Sequence, residues 1–225
     1  MEKVKVIEVN ENIFANNDLV AENLRKRLKD SGTFMLNVMS SPGSGKTTTI
    51  SAVVNKLKGK YKILVLDVDI ESSLDAETVA KNTGVKSIQI RNGGLCHIDA
   101  DMVSRAVSDI NFADYDLIIL ENIGNLVCPA EFDTGASKSM MLLSVPEGDD
   151  KPLKYPLMFS VVDLVVFSKI DVKKVFNFDT KLCTEYIKKL NKNVEILSVS
   201  AKTGEGIDDL ANWLENQIQI QKKGE

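Results

Sequence analysis

One run of residues constrains this chain more than any other feature. Ser40-Ser41-Pro42-Gly43-Ser44-Gly45-Lys46-Thr47 follows the apolar stretch Phe34-Met35-Leu36-Asn37-Val38-Met39 and precedes a helix-compatible segment. A strand, a glycine-bearing loop and a helix in that order form a cradle for phosphate. The glycines let successive backbone N–H groups turn inward, and the helix N-terminus brings the positive end of its dipole to the same place. The spacing is that of G-x-x-x-x-G-K-[ST] with Ser40 at the first glycine. Ser41, Gly43, Ser44, Gly45, Lys46, Thr47 and Thr48 are therefore the candidate phosphate contacts, with Lys46 reaching the β- and γ-phosphates and Thr47 ligating Mg²⁺. A nucleoside triphosphate is the expected ligand.

A phosphate loop of this kind belongs in an α/β protein, and the rest of the chain agrees. Apolar β-type runs at 34–39, 62–66, 86–90, 117–120, 140–145, 163–167 and 195–199 alternate with amphipathic patterns at 47–57, 75–82, 99–108, 179–190 and 207–219. That alternation predicts a P-loop fold, a largely parallel sheet with helices on both faces. Ahead of the first strand, residues 18–29 read as an extra helix, capped by Asn17 or Asp18 and followed by Gly32. With 225 residues, one core is expected: a single domain, 1–225, divided into an N-terminal helical extension (1–33) and a core (34–225). The Gly- and Pro-bearing stretch 146–156 reads as a long surface loop.

Composition excludes several classes. A net charge of −4 argues against a nucleic-acid surface. The most apolar stretch, 161–167, is short and carries Asp163, so no membrane segment is expected, and a cytoplasmic protein is. Three cysteines, Cys96, Cys128 and Cys183, are too few and odd in number for a disulfide scaffold and read as reduced thiols.

The base-reading residues lie further on. The strand at 163–167 runs into Ser168-Lys169-Ile170-Asp171, which resembles the guanine motif N-K-x-D with Ser168 at the asparagine. Its aspartate accepts from guanine N1–H and the exocyclic amine, and the lysine stem covers the base. Ser200-Ala201-Lys202 follows another strand and resembles the S-A-K element that contacts guanine O6. Lys169, Asp171, Ser200, Ala201 and Lys202 thus point to GTP rather than ATP. For Mg²⁺ and the γ-phosphate, the strand at 117–120 leads into Glu121-Asn122-Ile123-Gly124, a variant of D-x-x-G, and another ends in Asp67-Val68-Asp69 with Asp75 shortly after. Thr47, Asp69, Asp75 and Glu121 form the candidate Mg²⁺ set, and Lys46, Asp75, Glu121 and Gly124 the catalytic set. No arginine is placed as a finger, so slow intrinsic hydrolysis is expected.

A second chemistry sits between these motifs. The only histidine, His97, stands beside Cys96 in Gly93-Gly94-Leu95-Cys96-His97-Ile98-Asp99-Ala100, and Cys128 follows the Glu121–Gly124 element. Thiolate and imidazole suit Zn²⁺ or Ni²⁺, and adjacent residues do not easily supply a tetrahedral set from one chain, whereas two copies across a symmetric interface do. Cys183 reads as core.

Met39 to Thr47, Cys96-His97-Ile98-Asp99-Ala100 and the run from Glu121 to Asp133 together resemble the HypB family of GTPases, over nearly the whole chain. The resemblance implies a SIMIBI-class P-loop GTPase that assists nickel insertion into [NiFe]-hydrogenase, dimerises with GTP and holds Zn²⁺ or Ni²⁺ at the interface through Cys96, His97 and Cys128. Implied partners are a second copy, the hydrogenase large-subunit precursor and other maturation proteins. Residues 1–37 contain neither Cys nor His, so nickel storage is not expected. Two other readings remain open: an accessory GTPase for urease or a cobalamin enzyme, and a non-catalytic metal-binding scaffold stabilised by nucleotide.

Overall fold

The computed structural model describes residues 10–69 and 74–224. Seven strands form one all-parallel sheet: β1 (Phe34–Ser40), β2 (Ile63–Asp69), β3 (Lys86–Arg91), β4 (Leu117–Gly124), β5 (Lys138–Ser144), β6 (Leu164–Ser168) and β7 (Glu195–Ser198). Their spatial order is β3-β2-β4-β1-β5-β6-β7. The helices used below are α1 (Asn10–Ser31), α2 (Lys46–Leu57), α3 (Leu74–Thr83), α4 (Ala100–Ala106), α5 (Cys128–Glu131), α6 (Lys151–Lys154), α7 (Pro156–Val161), α8 (Lys173–Phe176), α9 (Thr180–Leu190) and α10 (Ile207–Lys223).

Because helices cover both faces, the central strands are buried on both sides and read as continuous apolar runs rather than alternating ones. Every residue of β1 is buried. Phe34, Leu36 and Val38 face α2 and α10, packing with Val53, Val54, Leu210 and Leu214. On the opposite face, Met35 meets Leu24 and Leu28 of α1 and Val103 of α4, while Met39 and Met141 join Met158, Phe159, Cys183 and Ile187 of α7 and α9. Cys183 is fully buried, and burial pushes its thiol up to about 12. Among the described residues no helix is long and apolar enough to cross a membrane.

Two expectations need correction. Residues 146–156 are not a long open loop: Val145–Glu147 is a 3₁₀ turn closed by a capping box between Ser144 and Glu147, and α6 and α7 follow. Pro152 is the second residue of α6 and Pro156 the first of α7, positions where a missing N–H removes no bond. The N-terminal helix also begins earlier than predicted, at Asn10, so Asn17 and Asp18 lie within α1 and do not cap its start. The remainder of the proposed 1–33 extension, residues 1–9, lies outside the described residues.

Since all strands run one way, their carboxyl ends gather at one edge of the sheet. The loops after β1, β2, β4, β6 and β7 meet there, the usual ligand edge of such sheets.

Candidate nucleotide and thiol sites

The loop between β1 and α2 is shaped by Gly43 and Gly45, whose φ values of 73° and 93° fall in the left-handed region that other residues avoid. Gly45 caps α2 without any side-chain bond, and the first turn of α2 holds no acidic residue, so its amide groups face outward uncompensated. Ser40 organises the loop from below. Fully buried, its hydroxyl donates to Ser41 O at 2.7 Å and accepts from Ser44 Oγ at 2.5 Å and from Lys46 Nζ at 2.9 Å. Burial lowers the Lys46 ammonium from the usual lysine range, opposed by attraction from Glu121, Asp75 and Asp67.

Those acids come together through strand pairing. Asp67 of β2 and Glu121 of β4 are directly paired across the parallel ladder and so project to the same face of the sheet. Asp75, in the first turn of α3, completes a group whose ligand atoms lie within 4.8 Å of one another. Thr47 Oγ1 donates to Glu121 Oε1 at 2.7 Å. Glu121 Oε2 and Asp67 Oδ2 are buried with no protein partner, an arrangement that is costly unless a cation occupies the space. Hard oxygen donors of this kind fit Mg²⁺. Asp69 lines the same cleft but lies outside the compact group, one strand repeat (about 6.6 Å) further along. Asp67, which the sequence motif passed over in favour of Asp69, takes the central place.

Burial pushes Glu121 up to about 7, against the hydrogen bond from Thr47, and pushes Asp67 up to about 6 with added repulsion from Asp75 and Asp69. Between the ordinary carboxylate value of 4.5 and about 7, the folded state therefore holds a proton on Glu121 that the unfolded chain has released. Stability of the nucleotide-free protein falls as pH rises through that window. Thermal melts are expected to show this fall, and Glu121→Gln, which cannot ionise, to make it shallower while Asp67 still contributes; a variant profile as steep as that of the parent would exclude Glu121 as a cause.

Gly124 closes the end of β4 against the loop. A Cβ there would lie 2.9 Å from both N and Cα of Pro42, so only glycine permits the approach. The base-side residues flank a cavity of about 290 Å³ lined by Gly45, Thr48, Lys169, Asp171, Ser200 and Lys202. Asp171 Oδ1 accepts from Ser200 Oγ at 2.8 Å, and Lys169, at φ 58°, donates to Gly43 O at 2.7 Å. Ser168, where the motif has asparagine, donates from a buried position to Ser44 O at 2.8 Å, tying β6 to the phosphate loop.

The cysteines also meet. Cys96 Sγ and Cys128 Sγ share a hydrogen bond at 2.9 Å, and all three cysteines are free thiols. This bond, together with burial, raises the Cys128 thiol. His97 Nδ1 is 3.8 Å from Cys96 Sγ, and its ring stacks on Phe132 at 3.8 Å between centroids. Among the described residues the acid triad is the only group of three or more metal-capable side chains, so Cys96, His97 and Cys128 do not close into a compact set on one chain. Two asparagines that sequence reasoning did not flag hold the loops. Asn92 Nδ2 donates to Leu95 O at 2.7 Å and His97 O at 2.9 Å, on either side of Cys96. Asn125 donates to Cys96 O at 3.3 Å and accepts from Val127 N at 2.8 Å.

A parallel sheet with a phosphate loop, buried acids at two neighbouring strand ends and a base-sized cavity beside them defines a P-loop nucleotide-binding protein. Residues 34–198 match the family model for the CobW/HypB/UreG nucleotide-binding domain, and the chain belongs to that family, among the HypB hydrogenase maturation factors. It is 41% identical over 215 residues to the hydrogenase maturation factor HypB of Rhizobium leguminosarum bv. viciae, covering 96% of this chain and 72% of that protein. It is 38% identical over 214 residues to the hydrogenase/urease maturation factor HypB of Helicobacter pylori, covering 93% and 87%. The crystal structure of Helicobacter pylori HypB in complex with nickel superposes with a TM-score of 0.85 at 38% identity, covering 92% of this chain and 97% of that one.

Proposed function

We propose that this chain is a GTP-hydrolysing nickel metallochaperone for [NiFe]-hydrogenase, in which GTP closes a homodimer around a thiol-bound Ni²⁺ or Zn²⁺ and hydrolysis resets it. One observation carries the reading: a single segment, β4 into α5, supplies Glu121 to the carboxylate cluster, Gly124 against the phosphate loop and Cys128 beside Cys96. Displacement at Gly124 is then felt a few residues later at a thiol.

Lys46, freed from Ser40, pairs with the β/γ-phosphates, and the amides of the loop bind their oxygens. Thr47, Asp67, Asp75 and Glu121 hold Mg²⁺, which supplies charge neutralisation on the phosphates. Asp171, oriented by Ser200, reads the guanine edge, and Lys169 covers its face. No protein arginine sits among these residues, so intrinsic turnover is slow. Cys96 and Cys128 take the nickel as cargo, and His97 must leave Phe132, or a second copy must add its own ligands, to fill a four-coordinate shell. The hydrogenase precursor receives the metal; the Helicobacter pylori relative is named for both hydrogenase and urease maturation.

Sedimentation with GDP and with a non-hydrolysable GTP analogue, each with and without Ni²⁺, tests the proposal. The analogue is expected to give a dimer and GDP a smaller species. In Cys96→Ala, Ni²⁺ and Zn²⁺ binding is expected to be lost while GTP affinity stays within about twofold, since the sulfur touches no part of the nucleotide cleft. Unchanged metal stoichiometry in this variant would exclude Cys96 as a ligand.

A further inference from the structure

Asn17 stands in the middle of α1 and is 5% exposed. A buried carboxamide inside a helix costs free energy unless its polar atoms are paired, and here neither end is spent on α1 itself. Its Nδ2 donates to Asp133 O at 2.9 Å, and its Oδ1 accepts from Ala100 N, also at 2.9 Å. Asp133 lies just beyond the segment that carries Cys128, and Ala100 just beyond Cys96-His97. One side chain thus spans the distal ends of both thiol-bearing loops.

The rest of α1 reinforces the same contact. Arg25 grips the Asp133 carboxylate with both terminal guanidinium nitrogens, each at 2.8 Å. Gly135 lies so close to α1 that an added Cβ would fall 2.9 Å from Leu24 Cδ2 and 3.2 Å from Ala21 Cα. On the proximal side of Cys128, Asn125 already ties the loops by donating to Cys96 O, and the His97–Phe132 stack adds a second link on the distal side. With both ends tied, the separation of the two sulfurs is set by the protein before any metal arrives.

We propose that Asn17 is a positioning residue for the metal site: it fixes the spacing of the Cys96 and Cys128 loops and so preorganises the thiols for Ni²⁺ or Zn²⁺. The inference rests on the ligand assignment proposed above. Partners outside the coordination shell commonly shift metal affinity by about 10- to 100-fold when removed. Asn17→Ala removes one tie from the end of each loop at once while Arg25 still holds Asp133, whereas deleting a contact within one loop loosens that loop alone.

Zn²⁺ and Ni²⁺ titrations of the full chain against a chromophoric chelator, with melting temperature and GTP affinity measured in parallel, test this. Asn17→Ala is expected to weaken both metals about tenfold and to leave GTP affinity unchanged. Leu28→Ala, fully buried three turns further along α1, serves as the control for weakening the helix alone. It is expected to lower the melting temperature at least as much and leave metal affinity within about twofold. Metal affinity unchanged in Asn17→Ala, or lost equally in Leu28→Ala, overturns the positioning role. If Cys96→Ala binds metal like the parent, the ligand assignment falls, and this inference with it; if Cys96→Ala loses metal while Asn17→Ala does not, the inference falls alone.

Discussion

Lys46→Ala is expected to lower GTP turnover about 10³-fold, the loss typical of removing a principal charge-stabilising group from a phosphoryl-transfer site. The physical reason lies in what surrounds it. Asp67, Asp75 and Glu121 gather beside the phosphate loop, and Lys46 is the cation of the loop that faces them. Without it, a polyphosphate entering the cleft meets three carboxylates whose charge is offset only by the metal it brings. In the free protein the same ammonium donates to Ser40 Oγ, a bond whose loss leaves the loop still tied through Ser44. The folded state is therefore expected to survive, with the melting temperature within a few degrees of the parent. Phosphate release measured at saturating GTP decides the matter; turnover within tenfold of the parent would exclude Lys46 from the reaction and favour a scaffold in which nucleotide is only bound.

Asp171→Asn is expected to weaken GTP binding about 10³-fold and to move preference toward xanthosine triphosphate. A carboxylate accepts two charge-assisted hydrogen bonds from guanine, each worth about 2 kcal/mol. A carboxamide offers one acceptor and one donor, and the donor meets the exocyclic amine of guanine head on. Xanthine carries a carbonyl at that position, which accepts. The substitution keeps the shape of the side chain and its contact with Ser200, which donates at 2.8 Å, so the loop that presents it is not disturbed. Competition of both triphosphates for a fluorescent nucleotide measures the shift. Retained preference for GTP would move base recognition to other residues of the cavity.

Much of the fold could be read in advance because its signals are local. The five inner strands carry short apolar runs that a parallel, doubly covered sheet makes nearly continuous, the edge strands β3 and β7 are more polar, and each expected boundary lies within a few residues of the observed one. Asp99 and Asp179 cap α4 and α9 by accepting from nearby backbone amides, a purely local matter. Asn17 shows where local reading stops. Asparagine before an apolar periodic run has the form of a cap, and nothing nearby in the sequence reveals that its partners are Asp133 and Ala100. Residues 146–156 mislead for the opposite reason, since Pro and Gly mark a loop on average, but Pro also fits the first turn of a short helix and Gly148 ends the 3₁₀ turn before it.

The candidate site divides along the same line. Glycine at positions 43 and 45, lysine at 46 and threonine at 47 are specified by the spacing of one loop, and the pairing of Lys169 with Asp171 by another. The choice of Asp67 over Asp69 was not, because both have the same chemistry and the same strand parity. It was decided by β4 lying between β2 and β1, which pairs Asp67 with Glu121 and Val38 with Glu121. The meeting of Cys96 with Cys128 at 2.9 Å likewise depends on the strand order. By itself, then, the amino-acid sequence determined an α/β chain with a phosphate loop, because backbone conformation and apolar periodicity are settled between near neighbours. Only the tertiary structure decided which acids gather at one point, which asparagines hold the thiols and how the phosphate loop abuts the segment that leads to Cys128, because those contacts join residues far apart in the chain through the pairing and register of the sheet.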